Sequence, residues 1–392
     1  MVIYLNNAAT SWPKPESVGW NMSDFISYGG ANHARGSTSP RDMETMSLVL
    51  ICREKIAELF NGYEDADPRY VTFTSNITES LNTVIKGFVR PGMRILTSSM
   101  EHNSVIRPLR EMELSGARVE VLPCDSTGYL REKTFEEALQ TPADLFVLSH
   151  ASNVSGTLQN LPYFAERCAR EKIPLVLDSA QTAGDIPINT AELQLAALCF
   201  TGHKGLLGPQ GIGGIVWNPE FANRCTPLMT GGTGSFSHEK DHPSAMPDKF
   251  EAGTPNLPGL AGLLAALEWI DSQGLEKIHA KKDYLTQMLL EGLHNLQGIE
   301  FYGPDTETPR MAVVSINIDG MDNATAAQQL SANWGIETRP GLHCSPLAHQ
   351  TLGTYPQGTL RLSPGFFNTE EEIEHAVSGI GVLSRSAADY AF

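Results

Sequence analysis

The sequence predicts an α/β protein: a large unit built on one mostly parallel sheet, followed by a smaller α+β unit. Two observations carry this expectation. Between residues 70 and 217 the runs YVTFT, RILTS, RVEVL, DLFVLSH, PLVLD, ALCFT and IGGIVW make about seven strand candidates, mostly with helical crossovers between them. They read as near-continuous apolar runs, as strands covered on both faces do. Beyond residue 258 the pattern changes to a helix from LPGLAGLLAALEWI, a helix over 275–297, strands near 311–318 and 359–363, and a last helix from Thr369. A chain of 392 residues is long enough for two such units.

In chain order, VIYLNNAAT reads as a short strand entering a polar turn, and WPKP delays the first helix, expected from Pro15 to Ile26. The loop YGGANHARGSTSP follows, where His33 and Arg35 are candidate site residues. Met43, Met46, Val49, Leu50, Ile56, Leu59 and Phe60 recur at helical spacing over 41–60. After YVTFT, Leu81, Val84, Ile85 and Phe88 mark a helix with Thr78 at the expected N-cap. Strand, small polar turn and helix N-terminus together make an anion site, although ordinary capping has the same pattern. RILTSSMEHNSV places Glu101, His102 and Asn103 at the end of another strand. GHKGLLGPQGIGG matches neither a P-loop nor a dinucleotide fingerprint, so its glycines are expected to form turns around a bound group. The stretch 226–256 is loop-rich, which points to a functional loop or a subunit contact.

Composition narrows the class. Hydrophobic residues are 41% and charged residues 19%, as in an ordinary globular protein, and the net charge of −17 disfavours nucleic acid or an anionic membrane as partner. No run approaches the ~18 apolar residues of a membrane span, and the N-terminus has no signal-peptide pattern. The cysteines Cys52, Cys124, Cys168, Cys199, Cys225 and Cys344 form no CxxC pair, so free thiols, no metal site and a cytoplasmic enzyme are expected.

The chemistry concentrates where PLVLD ends in Asp178 and ALCFTGHK ends in Lys204. Ligands of open α/β sheets bind at the carboxyl ends of strands, which puts both residues on one rim. A lysine amine and an aspartate that can hold a protonated pyridine nitrogen are what pyridoxal 5′-phosphate needs from a protein. Gln181 suits the ring hydroxyl, and Thr201 and His203 the phosphate. The competing reading is a strand-end aspartate and a surface lysine. Asn153 lies on the same rim, and His102 is either a group that stacks on a flat ring or a satisfied polar residue. In RPGLHCSPL, Arg339 and His343 flank Cys344, and both are able to favour a thiolate. Arg361, on the strand GTLRL, suits a carboxylate bidentately; a structural ion pair is its alternative.

YLNNAAT, MEHNSVIRP, SHASNVSGT, LDSAQTAG, TGHKGLLGPQGIGG, FEAGTPN and RPGLHCSPL, in this order, resemble the class V aminotransferase family, and within it the cysteine desulfurases and selenocysteine lyases. The short loop around Cys344 resembles the second desulfurase group (SufS-like). The resemblance implies the fold type I of pyridoxal-phosphate-dependent transferases. The large domain would span 15–258, with a seven-stranded sheet, and 1–14 with 259–392 would form the small one. It implies a homodimer with composite sites. Lys204 would hold the cofactor, Asp178 its ring nitrogen, Gln181 and Asn153 the ring-oxygen side, and His102 would stack on the ring. Ile77 (by its amide), Thr78, Thr201 and His203 would bind the phosphate, with Thr254 coming from a partner subunit. Arg361, Asn7 and Arg339 would take the substrate, L-cysteine or L-selenocysteine, and Cys344 would be the nucleophile that passes sulfur to an acceptor protein. SNITES departs from that branch's usual glycine and two threonines, and ANHARGSTS lacks its second histidine. The alternatives are a selenocysteine lyase, a class V aminotransferase or lyase for another amino acid, and a sulfur carrier without cofactor.

Overall fold

The structure, a computed structural model, describes residues 2–32, 38–235 and 238–389. His33 and Arg35 lie outside the described residues. The strands are β1 (Ile3–Tyr4), β2 (Val71–Thr74), β3 (Arg94–Ser98), β4 (Arg118–Leu122), β5 (Leu145–Ser149), β6 (Leu175–Asp178), β7 (Ala197–Thr201), β8 (Gly213–Trp217), β9 (Ile299–Tyr302), β10 (Val314–Ile318), β11 (Ile336–Glu337), β12 (Arg339–Gly341) and β13 (Thr359–Leu362).

The seven strand candidates form one seven-stranded sheet in the order β2-β8-β7-β6-β5-β3-β4, in which only β8 runs antiparallel to its neighbours. The apolar runs are continuous because both faces are covered. Phe146, Leu148, Leu175, Leu177, Leu198 and Phe200 enter one core, while Leu145, Val147, Val176, Ala197 and Cys199 enter another on the opposite face. A second, antiparallel sheet has the order β12-β13-β10-β9, and β1 pairs in parallel with β11. Ile3 and Leu5 therefore share a third core with Leu289, Ile316, Leu360 and Ile373. Among the described residues, no helix is long and apolar enough to cross a membrane.

Three local expectations change. The helix Ile77–Phe88 is capped by Asn76, whose Oδ1 accepts from Glu79 N at 3.0 Å, not by Thr78. Glu79 Oε2 in turn accepts from Ser75 N at 2.8 Å, a reciprocal capping arrangement that sets Thr78 within the first turn. Gly213 serves strand packing: a Cβ there would lie 2.7 Å from Asn76 C and 2.8 Å from Phe200 O, so glycine lets the capped turn settle against β8. The strands β9, β11 and β12 are additional to those expected: β9 (IEFY) is a short run of strand formers between Gly298 and Gly303, whereas β11 and β12, of two and three residues, are too short to carry a pattern.

The two sheets are tied by Asp185, which is 1% exposed. Its carboxylate accepts from His279 Nδ1 at 3.1 Å and pairs with Lys282, both on the helix Leu275–His294. Burial raises the Asp185 pKa, but Lys282 and then His279 more than offset this, so the net direction is down. His279 is raised, first by its bond to Asp185. A lowered carboxylate stabilises above its unfolded pKa near ~4, and that stability is lost as pH falls through the folded value; a raised histidine stabilises below ~6.5, and that part is lost as pH rises. The link is therefore expected to be strongest between about pH 4 and 6.5. Asp185→Ala, which leaves Lys282 without its partner, is expected to cost about 3–5 kcal/mol in urea unfolding near pH 6.

Candidate active site

Strand register assembles the rim. Ser149 of β5 pairs with Asp178 of β6, and Asp178 with Cys199 of β7, so the ends of three parallel strands lie side by side. Asp178 is buried, and its Oδ1 accepts from Ala180 N at 2.9 Å. Burial raises its pKa, and the Lys204 ammonium offsets only part of that shift. A buried carboxylate without a salt bridge among the described residues suits a cationic ring nitrogen.

Lys204 lies just past the end of β7 and lines a 40 Å³ cavity with Asn7, Gln181, Val313 and Phe366. Burial first, then Arg361 and Arg339, hold its pKa down to about 8 despite Asp178. The amine is thus neutral above about pH 8. Competitive acetylation of the apoprotein with acetic anhydride, read by peptide mapping, is expected to show Lys204 reactivity rising through that pH, well below the ~10.4 of an ordinary lysine.

His102 caps the helix Asn103–Leu114, its Nδ1 accepting from Ser104 N at 3.0 Å. Burial and Lys204 push its pKa down to about 4. Its ring is a neutral, flat face at pH 7. Glu101 beside it is fully buried, accepting from Ser98 Oγ at 2.6 Å and Ser149 Oγ at 2.6 Å. Burial raises this carboxyl to about 7, and sequence reasoning gave it no role.

Two buried polar atoms at the rim have no partner: Thr201 Oγ1 and His203 Nδ1. Thr201 pairs with Gly213, which also pairs with Thr74, so Thr201 lies in the region where the amides of Ile77 and Thr78 open the first turn of their helix; His203 follows two residues on, its carbonyl accepting from Ser11 N at 3.0 Å. Unpartnered donors beside a helix N-terminus are what a phosphate requires. The residues present therefore fit pyridoxal phosphate. Thr254 does not line the Lys204 cavity; it lines a 730 Å³ groove with Met43, Met46, Leu50, Met229 and, from the turn before the Ile77–Phe88 helix, Ser75.

The loop carrying Cys344 is fixed from several sides. His343 and Cys344 both have positive φ, 49° and 60°, a strained backbone held by its surroundings. Asn103 N donates to Cys344 O at 2.9 Å, and Asn153 Nδ2 donates to His343 O at 2.8 Å. Ser345 Oγ donates to Asn153 Oδ1 at 2.7 Å, so both ends of the Asn153 amide hold this loop. The exposed Cys344 thiol faces Arg339, with Nη2 at 3.7 Å from Sγ. His343 is corrected as an electrostatic helper: its ring turns inward, between Arg339 O at 2.9 Å and His349 Nε2 at 3.2 Å. Burial and Arg361 push its pKa to about 2, so it brings no charge to the thiol.

Arg361 stands opposite Arg339 in the β12–β13 register and is buried. Burial, then Arg339, lower its pKa to about 9, which leaves it charged at pH 7. Asn7 lines the Lys204 cavity, but its Nδ2 donates to Ser363 O at 3.0 Å and its Oδ1 accepts from Trp12 N at 3.1 Å. Its neighbour Asn6 is the residue that reaches Arg361. Sequence reasoning missed Asn6; the alternation of faces along a strand was the available signal.

Gln181 donates through Nε2 to Ala8 O at 3.2 Å on the same cavity wall. The structure thus gathers Lys204, Asp178, Gln181, His102, Arg361, Arg339 and Cys344 around one rim. Lys204 is within electrostatic reach of Asp178, Arg361, Arg339 and Cys344.

Comparison with known proteins agrees with this arrangement. The model of the class-V aminotransferase family matches residues 3–376. A probable cysteine desulfurase of Methanothermobacter thermautotrophicus is 31% identical over 377 residues, which cover 95% of this chain and 92% of that protein. One of Pyrococcus abyssi is 32% identical, covering 97% and 93%. The apo structure of a cysteine desulfurase from Thermococcus onnurineus NA1 superposes with a TM-score of 0.91 at 30% identity, over 98% of this chain and 95% of that one. With nearly the whole chain matched in sequence and in fold, the protein belongs to the class-V aminotransferase family.

Proposed function

We propose that the protein is a pyridoxal-phosphate-dependent cysteine desulfurase that converts L-cysteine to L-alanine and collects the sulfur as a persulfide on Cys344. The observation that carries this reading is an exposed thiol on an immobilised loop, 3.7 Å from Arg339 and within the electrostatic field of Lys204. A transaminase has no use for that thiol. Relatives and a structural neighbour matched over more than nine-tenths of their own length are named as cysteine desulfurases, which supports the same substrate.

Lys204 and Asp178 would hold the cofactor, with Thr201, His203 and the amides of Ile77 and Thr78 at its phosphate and His102 against its ring. Bound there, the cofactor supplies an electron sink for an amino acid's Cα. Arg361 orients the substrate carboxylate, and the Lys204 amine takes the Cα proton. The Cys344 thiolate attacks the substrate sulfur, the carbon–sulfur bond breaks, and its electron pair stays with the carbon fragment. Reprotonation of that fragment gives alanine.

The reading extends to assembly. Trp20, Ile26 and Tyr28 are 73%, 69% and 81% exposed, and Met43, Leu50 and Met229 line the apolar 730 Å³ groove. Such a surface supports a second copy of the chain as its cover, with Thr254 presented to the neighbouring site. The same reading takes 15–258 as the large domain, 1–14 with 259–392 as the small one, a sulfur-acceptor protein as partner, and the cytoplasm, where six free thiols persist. Mass spectrometry after mixing with cysteine tests the central claim. One added sulfur atom on the Cys344 peptide, with stoichiometric alanine, is expected; alanine without that adduct would overturn it.

A further inference from the structure

Arg361 and Arg339 face each other across one ladder, and Arg361 is 1% exposed. Like charges directly opposite repel, and a buried cation without a counter-charge is costly. No carboxylate among the described residues pairs with Arg361; the groups acting on it are Arg339, Tyr4 and Cys344. Its guanidinium is instead seated by uncharged acceptors. Nη1 donates to Asn153 O at 2.8 Å and Nη2 to Asn6 Oδ1 at 3.0 Å, while the buried Nε has no partner. Asn6 is carried there by backbone pairing: it bridges to Ser363, whose N donates to Leu5 O at 2.7 Å. An aspartate has nearly the same shape and would accept the same bond, but it would cancel the charge.

We propose that Asn6 is a positioning residue that sets the carboxylate selectivity of the site: its neutral amide orients Arg361 and leaves the guanidinium charge to an incoming α-carboxylate. This rests on Arg361 being the carboxylate-binding group. The fixed amide supplies direction, the unpartnered Nε a further donor, and Arg339 adds attraction without competing as an acceptor. The same arrangement disfavours an amine that lacks the carboxylate.

The test uses the holoenzyme, with propionate as probe and iodoacetamide alkylation of Cys344, followed by mass spectrometry, as readout. In the unmodified protein, propionate is expected to protect Cys344, and propylamine at equal concentration is not; equal protection by both overturns the proposal. Asn6→Asp is expected to raise the half-protecting propionate concentration about tenfold, and the KM for L-cysteine with it, while kcat changes less than about threefold. Asn6→Ser removes the bond without adding charge and is expected to raise the half-protecting concentration by no more than about threefold. No shift with Asn6→Asp, or an equal shift with both variants, overturns the inference. Arg361→Ala separates the two levels. If it still binds propionate like the unmodified protein, the role of Arg361 falls and the inference with it. If Arg361→Ala loses protection while Asn6→Asp is silent, only the inference falls.

Discussion

Replacing Lys204 with alanine is expected to lower alanine release from cysteine by about 10²–10⁴-fold, the range lost when a positioned proton-transfer group is removed. The expectation follows from position and charge. Lys204 is held on the rim by the end of β7, and burial beside two arginines brings its pKa to about 8, so a useful fraction of neutral amine exists at working pH. Borohydride treatment followed by peptide mapping gives an independent readout: the coenzyme should be fixed at Lys204 in the unmodified protein and at no peptide in Lys204→Ala. Unchanged alanine release in the variant, or a label elsewhere, would remove the basis of the functional reading.

The second large effect is expected at Cys344. Cys344→Ser should lose sulfide release from cysteine by about 10²–10⁴-fold, because a hydroxyl is not ionised near neutral pH and cannot attack sulfur as a thiolate does. Selenide release from selenocysteine is expected to survive, since selenium leaves carbon without a thiolate acceptor. Equal loss of both activities would mean that Cys344 holds the loop rather than reacts. The loop is already over-determined by Asn103, Asn153 and Ser345, so serine should be tolerated there.

Much of the large sheet was legible in the chain. PLVLD and ALCFT read as buried strands because parallel strands covered on both faces must be apolar at every position, and the register observed between Asp178 and Cys199 follows from that pairing. Lys204 and Asp178 were legible for the same reason, since strand ends fix where a side chain emerges. The capping residue lies two positions before the expected Thr78. SNITES offers several polar residues able to cap, and only the packing of Asn76 against Gly213 selects one of them. By sequence, His343 beside Cys344 is a candidate charge near the thiol. Its burial between Arg339 O and His349 makes it neutral, and burial is not visible in a neighbouring-residue pattern.

Local sequence determined what depends on neighbours along the chain: strand and helix periodicity, the residues at strand ends, and the bent loop that carries a thiol. Tertiary structure decided what depends on groups far apart in the chain. The pairing of Arg339 with Arg361, the seating of Arg361 by Asn6, and the clamp of Asn153 on the Cys344 loop join residues separated by 22 to 355 positions. The physical reason is that hydrogen bonding, desolvation and charge balance act through space, whereas propensity and periodicity act along the backbone.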